Sequence, residues 1–294
     1  MTSLPFILCR SILRIKYSKS NDNPTINLKK ARRFECALPS NYIKKSFVID
    51  IITVNDRDIY ILSPLKDYSA NKLLLYFHGG AYITGITVPH WHFVKKIVNQ
   101  TGAKLILPDY PVAPEYNYKQ TIGFSLKLYQ EFLKEYGPSN IYFIGDSCGG
   151  GLSLSLSQAI KENNLPQPKK IILLSPWLDL SVSNPDIIEL QKKEIMLLPK
   201  KLKKAGDLYR GDLDPQDPLI SPLYADTKVF PEIHLFIGTH DILLADARKF
   251  RENARNEGKE IRYYEYDKMI HCWMLFPVPE AKVVLNKMKQ ILLD

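Results

Sequence analysis

What the chain has little of narrows it first. Only four of its 294 residues are cysteine, and Cys9, Cys36, Cys148 and Cys272 have neither paired nor metal-ligand spacing. A disulfide framework and a structural metal site are therefore not what organises the fold, and a reduced, cytoplasmic setting is expected. No apolar run approaches the roughly 18 residues that a membrane span needs, so no stable membrane insertion is expected. The short run 5–9 is cut by Arg10 and has neither a basic segment before it nor a small-residue cleavage site after it, a poor pattern for a secretory signal. The net charge is +9, yet the basic residues are spread as singles and pairs such as Lys29-Lys30 and Lys200-Lys201. No clustered stripe with a matching motif is present, so nucleic acid is not an expected partner. Internal repeats and low-complexity linkers are absent too.

What is there is ordinary for a folded protein: 45% hydrophobic and 24% charged residues, in a length that suits one large α/β domain with decorations. Residues 47–54 and 59–62 read as a hairpin joined by Asn55-Asp56-Arg57-Asp58. Continuous apolar runs at 73–77, 104–107, 141–144, 170–174 and 233–237 read as buried strands, and 260–266 as the last strand. Helical patterns at 93–98, 121–136, 152–159, 243–256 and 280–292 fall between and after them. Such alternation builds a mostly parallel sheet flanked by crossover helices.

Two segments do not fit the alternation. Residues 177–222 hold two helical stretches, near 187–197 and 202–209, and no strand. Residues 1–45 open with a helix carrying Phe6, Cys9, Leu13 and Tyr17 on one face, followed by a loop at 21–27. The expectation is a single domain, 1–294, with a helical cap made from about 1–45 and the insertion 177–222. The apolar faces of these two segments are expected to pack on each other.

The chemistry centres on Gly145-Asp146-Ser147-Cys148-Gly149, set between a buried strand and a helix. In that context Gly-x-Ser-x-Gly reads as a nucleophile elbow, a turn so tight that its glycines cannot carry side chains. Serine needs a base, and the base needs a carboxylate to set its tautomer. On this scaffold the partners follow in the order serine, acid, histidine. Of six histidines, only His234, His240 and His271 follow Ser147. His234 opens a strand and His240 precedes the best acid, which leaves His271. Asp241, just past the strand at 233–237, is the candidate acid, with Asp246 as the runner-up. The loop His78-Gly79-Gly80-Ala81 after a central strand offers Gly79, Gly80 and Ala81 as an oxyanion hole together with the Cys148 N–H. His78 reads as a brace for that loop. Cys148 and Cys272 each adjoin a catalytic candidate, so bulky thiol reagents are expected to inhibit.

These segments, with Asp109-Tyr110-Pro111-Val112-Ala113-Pro114-Glu115, Ser175-Pro176-Trp177-Leu178-Asp179-Leu180 and Asp217-Pro218-Leu219-Ile220-Ser221-Pro222, make the chain resemble the hormone-sensitive-lipase family of α/β-hydrolases from about Leu73 onward. The resemblance implies an α/β-hydrolase fold and a serine carboxylesterase acting on short to medium acyl esters. It implies neither a metal nor an organic cofactor, and a small-molecule ester as partner, and it leaves a homodimer open. Ala81 stands where the family usually has a third glycine, Cys148 where alanine is commonest, and Pro111 where arginine is usual. Amidase or deacetylase chemistry on the same triad, and ligand binding without hydrolysis, are the alternatives. Gibberellin receptors resemble the same family but have lost the histidine, whereas His271 is present here.

Overall fold

Apolar side chains alternate along the central strands, and the alternation builds two cores, one on each face of a single sheet. In the computed structural model, which describes residues 2–18, 25–36, 38–65 and 69–293, the sheet has eight strands. They are β1 (Phe47–Val54), β2 (Arg57–Pro64), β3 (Ser69–Phe77), β4 (Ala103–Pro108), β5 (Ile141–Asp146), β6 (Lys170–Leu174), β7 (Glu232–His240) and β8 (Arg262–Ile270), lying in the order β1-β2-β4-β3-β5-β6-β7-β8. β1 and β2 pair antiparallel, as do β2 and β4. Every later pairing is parallel, so six strands share one carboxyl-end rim. β5, which leads into Ser147, lies in the middle of that rim.

Leu73, Leu75 and Phe77 of β3 face one core, while Leu74 and Tyr76 face the other. β5 and β6 repeat the pattern, with Phe143 and Leu173 on the first side and Ile144 and Ile172 on the second. The first core takes α5 (Tyr118–Tyr136), α6 (Cys148–Glu162) and α9 (Leu244–Asn256). The second takes α4 (Val88–Thr101), α10 (Pro279–Leu293) and the inner side of α1 (Leu4–Ser18). Short helices α2 (Leu28–Arg32) and α3 (Asn41–Lys44) lead into β1, and α7 (Ile187–Gln191) and α8 (Pro199–Tyr209) occupy the insertion. Among the described residues no helix is long and apolar enough to cross a membrane.

Several boundaries depart from expectation for local reasons. The hairpin turn is two residues, not four: Asn55 and Asp56 both have left-handed φ, 49° and 59°, and Arg57 already pairs with Val54. That is the backbone a two-residue type I′ turn requires. The helix expected at 187–197 stops at Gln191. Beyond it, one carboxylate oxygen of Glu194 accepts the backbone N–H groups of Ile195 and Met196, both at 2.7 Å, which turns the chain away from the helix axis. Pro199 then opens α8 from an extended Leu198. The last strand runs to Ile270, four residues past its expected end, and so delivers His271 directly from the sheet.

α1 packs on the second core, and its carboxyl end approaches the insertion. Ser3 donates its N–H and its hydroxyl to the carboxylate of Glu280 at the start of α10, at 2.6 and 2.9 Å. Phe6 and Leu13 are buried in the second core. Near the end of α1, Arg14 and Tyr17 line a cleft of about 230 Å³ with Gln191 and the stretch from Glu194 to Leu198. The part of the expected loop at 21–24 lies outside the described residues.

Leu75 is fully buried in the middle of the central β3. Leu75→Ala should lower the unfolding free energy by about 2–5 kcal/mol, read from the midpoint of a urea titration at unchanged slope.

Candidate active site

The end of β5 and the start of α6 are pressed against β3 so closely that side chains are excluded. A Cβ on Gly149 would overlap the Phe77 carbonyl, and one on Gly145 would overlap the Gly149 carbonyl. Between them Ser147 holds φ 53° and ψ −122°, a conformation that non-glycine residues rarely adopt. Backbone hydrogen bonds fix it: Ser147 N–H donates to Leu174 O at 2.9 Å, and Ser147 O accepts from Trp177 N at 2.9 Å, Gly150 N at 3.0 Å and Gly151 N at 3.4 Å. Strain of this kind persists only where the surroundings over-determine it.

His271 arrives from the end of β8, with Nε2 3.1 Å from Ser147 Oγ. Its Nδ1 lies 2.8 Å from Asp241 Oδ2, and the other Asp241 oxygen accepts Leu243 N–H at 2.9 Å. A carboxylate at Nδ1 fixes the proton there and leaves Nε2 as the acceptor for the serine hydroxyl. Burial works against protonation of His271, but the charge and hydrogen bond of Asp241, together with the adjacent Cys272, outweigh it and raise its pKa well above the ordinary histidine value. Asp246, the runner-up acid, lies inside α9 and bonds Asn184 at 3.0 Å. His234 bonds Glu232 at 2.7 Å.

Of the three loop candidates, Gly79 differs from the other two. Its N–H donates to Asp146 Oδ1 at 2.9 Å, so Gly79 contributes close approach and no free donor. Gly80 and Ala81, with φ of 133° and 54°, carry the chain past that point. Cys148 N–H belongs to the first turn of α6, where N–H groups have no intrahelical acceptor. The missing third glycine is thus tolerated in a left-handed alanine.

Two buried groups brace this loop from behind. Asp146 Oδ1 also accepts from Tyr76 Oη at 2.6 Å, and Oδ2 faces His90 Nε2 at 3.5 Å. His90 Nδ1 accepts Thr87 N–H at 3.0 Å, which assigns its ring proton to Nε2, toward the carboxylate. Burial opposes the Asp146 charge, but His90 with the Tyr76 and Gly79 hydrogen bonds holds its pKa below the usual range. His78 stacks on Tyr110 at 4.2 Å, and burial pushes its pKa down to about 3, so it stays neutral and structural.

The cysteines depart from expectation. Cys148 Sγ is buried and accepts Tyr82 N–H at 3.2 Å, and burial pushes the thiol up to about 12. Cys272 Sγ is 3.4 Å from His271 Nε2, and burial pushes it up to about 11. Neither is an accessible thiolate, so rapid inhibition by bulky thiol reagents is no longer expected.

Glu194 lies in the insertion, where the order of serine, acid and histidine does not single it out. In the structure its second oxygen accepts Ile242 N–H at 3.2 Å, one residue beyond Asp241. Burial pushes its carboxyl up to about 7, with the Asp241 charge adding to the rise and His271 opposing it. Nothing in its local sequence signals this, because the contact spans 48 residues. The insertion also meets the oxyanion loop through Tyr209 of α8, which stacks on Tyr82 at 3.7 Å with Trp177 alongside.

A sequence-family profile described as an alpha/beta hydrolase fold matches residues 74–275. An esterase of Acinetobacter venetianus is 33% identical over 221 residues, covering 74% of this chain and 73% of the relative. An acetyl-hydrolase of Streptomyces hygroscopicus is 28% identical, covering 79% of this chain and 78% of that one. The solved structure of a hormone-sensitive lipase from a metagenome library superposes with a TM-score of 0.87 at 26% identity, covering 99% of this chain and 98% of its own.

Two expectations follow from the buried groups. Cys148→Ala leaves the buried Tyr82 N–H without its acceptor, and should cost about 1–3 kcal/mol in denaturant unfolding while Ser147 still reacts with an organophosphate. Glu194 is ionised above its pKa of about 7, where its charge favours protonated His271. With His271 as the candidate base, activity requires its neutral form, so Glu194→Gln should move the acidic limb of the kcat/KM–pH profile to lower pH. An unmoved limb would mean that the Glu194 charge does not reach the imidazole.

Proposed function

The chain belongs to the alpha/beta hydrolase fold family, in its hormone-sensitive-lipase group, and on that premise we propose that it is a serine carboxylesterase working through Ser147, His271 and Asp241. The observation that carries the reading is the continuous relay from Ser147 Oγ to His271 Nε2 at 3.1 Å and from His271 Nδ1 to Asp241 at 2.8 Å. Ser147 Oγ attacks the ester carbonyl as its proton passes to His271 Nε2. The imidazolium is stabilised by Asp241, and the oxyanion by the N–H groups of Gly80, Ala81 and Cys148. Collapse of the tetrahedral species returns the proton from His271 to the departing alcohol and leaves an acyl-serine. Water, deprotonated by His271, then releases the acid and regenerates Ser147.

α1 and the insertion act as the cap over this rim, the insertion through Tyr209 and Glu194 and α1 through Arg14 and Tyr17. The rings of Tyr82, Tyr209 and Trp177 are fully buried around the elbow, and such a filled wall favours short to medium acyl chains. The acetyl-hydrolase relative supports the short end of that range.

p-Nitrophenyl acetate should give a burst of p-nitrophenolate equal to the enzyme concentration. Ser147→Ala should lower kcat on the order of 10⁶-fold, and Asp241→Asn about 10⁴-fold, because the amide fixes the wrong tautomer. An organophosphate should label Ser147 alone. Undiminished hydrolysis by folded Ser147→Ala would overturn the mechanism.

A further inference from the structure

α1 carries two apolar faces on opposite sides, one buried and the other exposed. Phe6 and Leu13 are buried, and Cys9 and Tyr17 are half-buried beside them. At 100° per residue, Leu4, Ile7, Leu8, Ile12 and Ile15 cluster around the opposite direction. They are exposed there: Leu4 by 78%, Ile15 by 71%, Leu8 by 62% and Ile12 by 57%. Singly exposed apolar residues are normal, but five on one face of one helix make a patch. The inner face is held by the second core and by the Ser3–Glu280 hydrogen bonds, so the helix has no freedom to turn the patch inward.

Charge says what the patch fits. α1 has no acidic residue, and its basic residues sit at the borders between the two faces, Arg10 and Arg14 on one side and Lys16 on the other. Lys16 Nζ lies 4.3 Å over the ring of Phe34, and the Arg33 guanidinium lies 4.5 Å over the same ring. An exposed aromatic with a second basic residue thus adjoins the end of the helix. The following α2 adds Lys29 and Lys30, both exposed. A second copy of the chain would bring an equally basic helix and another net charge of +9 against this face. An anionic surface with an apolar interior complements both properties.

We propose that the outer face of α1 is a contact for an anionic phospholipid surface, with Leu4, Leu8, Ile12 and Ile15 reaching the acyl boundary and Arg14, Lys16 and Arg33 meeting the headgroups. The 15-residue helix is about 22 Å long, too short to span and suited to lying in the interface plane. Binding is reversible adsorption.

The test is co-sedimentation of the full chain with sucrose-loaded vesicles of phosphatidylcholine alone or with 30% phosphatidylserine. The wild type should pellet with the anionic vesicles, weakly with the neutral ones, and less at 0.5 M salt. Leu8→Ser with Ile12→Ser should weaken the anionic partition at least tenfold, with unchanged hydrolysis of soluble p-nitrophenyl acetate and an unchanged unfolding midpoint. Excess inorganic phosphate should not compete if the lipid surface is the ligand. Partition unaffected by the double substitution would overturn the proposal, as would phosphate competition. A wild-type dimer by light scattering that becomes monomeric in the double variant would reassign the face to contact between copies.

Discussion

The close approach of Gly149 to the Phe77 carbonyl is the constraint on which the rest of the site depends. It brings the first turn of α6 against the carboxyl end of β3, and the loop that follows β3 carries Gly80 and Ala81. The proposed nucleophile and oxyanion donors are therefore set by one backbone contact between α6 and β3, not by long side chains. His271 and Asp241 come from the two strands on the far side of β6, where the parallel register puts the ends of β7 and β8 on the same rim. A sheet of this order can build the proposed relay only with the serine near its middle, within reach of both flanks.

Two carboxylates adjacent to this centre do different work because their neighbours differ. Asp241 faces an imidazole and raises its affinity for a proton. Asp146, next to the serine in sequence, turns the other way and spends itself on Tyr76, His90 and the Gly79 N–H. It holds the proposed oxyanion loop in place through Gly79. The buried thiol of Cys148 performs a similar service for Tyr82 N–H, so the departure from alanine at that position has a structural use.

Most of the sheet was legible because buried parallel strands are written as continuous apolar runs, and because the elbow and the acid–histidine order are local or ordinal signals. Asp241 could be separated from Asp246 by its place at a strand end. Glu194 could not be found, since its proximity to Asp241 depends on how a 46-residue insertion folds back, and no periodicity records that. The same carboxylate ends the helix that the pattern 187–197 suggested, by taking two backbone N–H groups that the helix would have needed. Gly79 reads like its neighbour Gly80 in sequence, and only the position of Asp146 distinguishes them. The second apolar face of α1 was hidden by the first, because a periodicity search stops once one face explains the helix.

The stack of Tyr209 on Tyr82 links the insertion to the turn that bears the oxyanion donors. An insertion exchanged for a foreign one would have to return an aromatic ring to the same place, or the backbone at Ala81 and Tyr82, both left-handed, would lose its outer support. On the proposed mechanism, a change in the cap and a change in the oxyanion loop are then coupled through one ring.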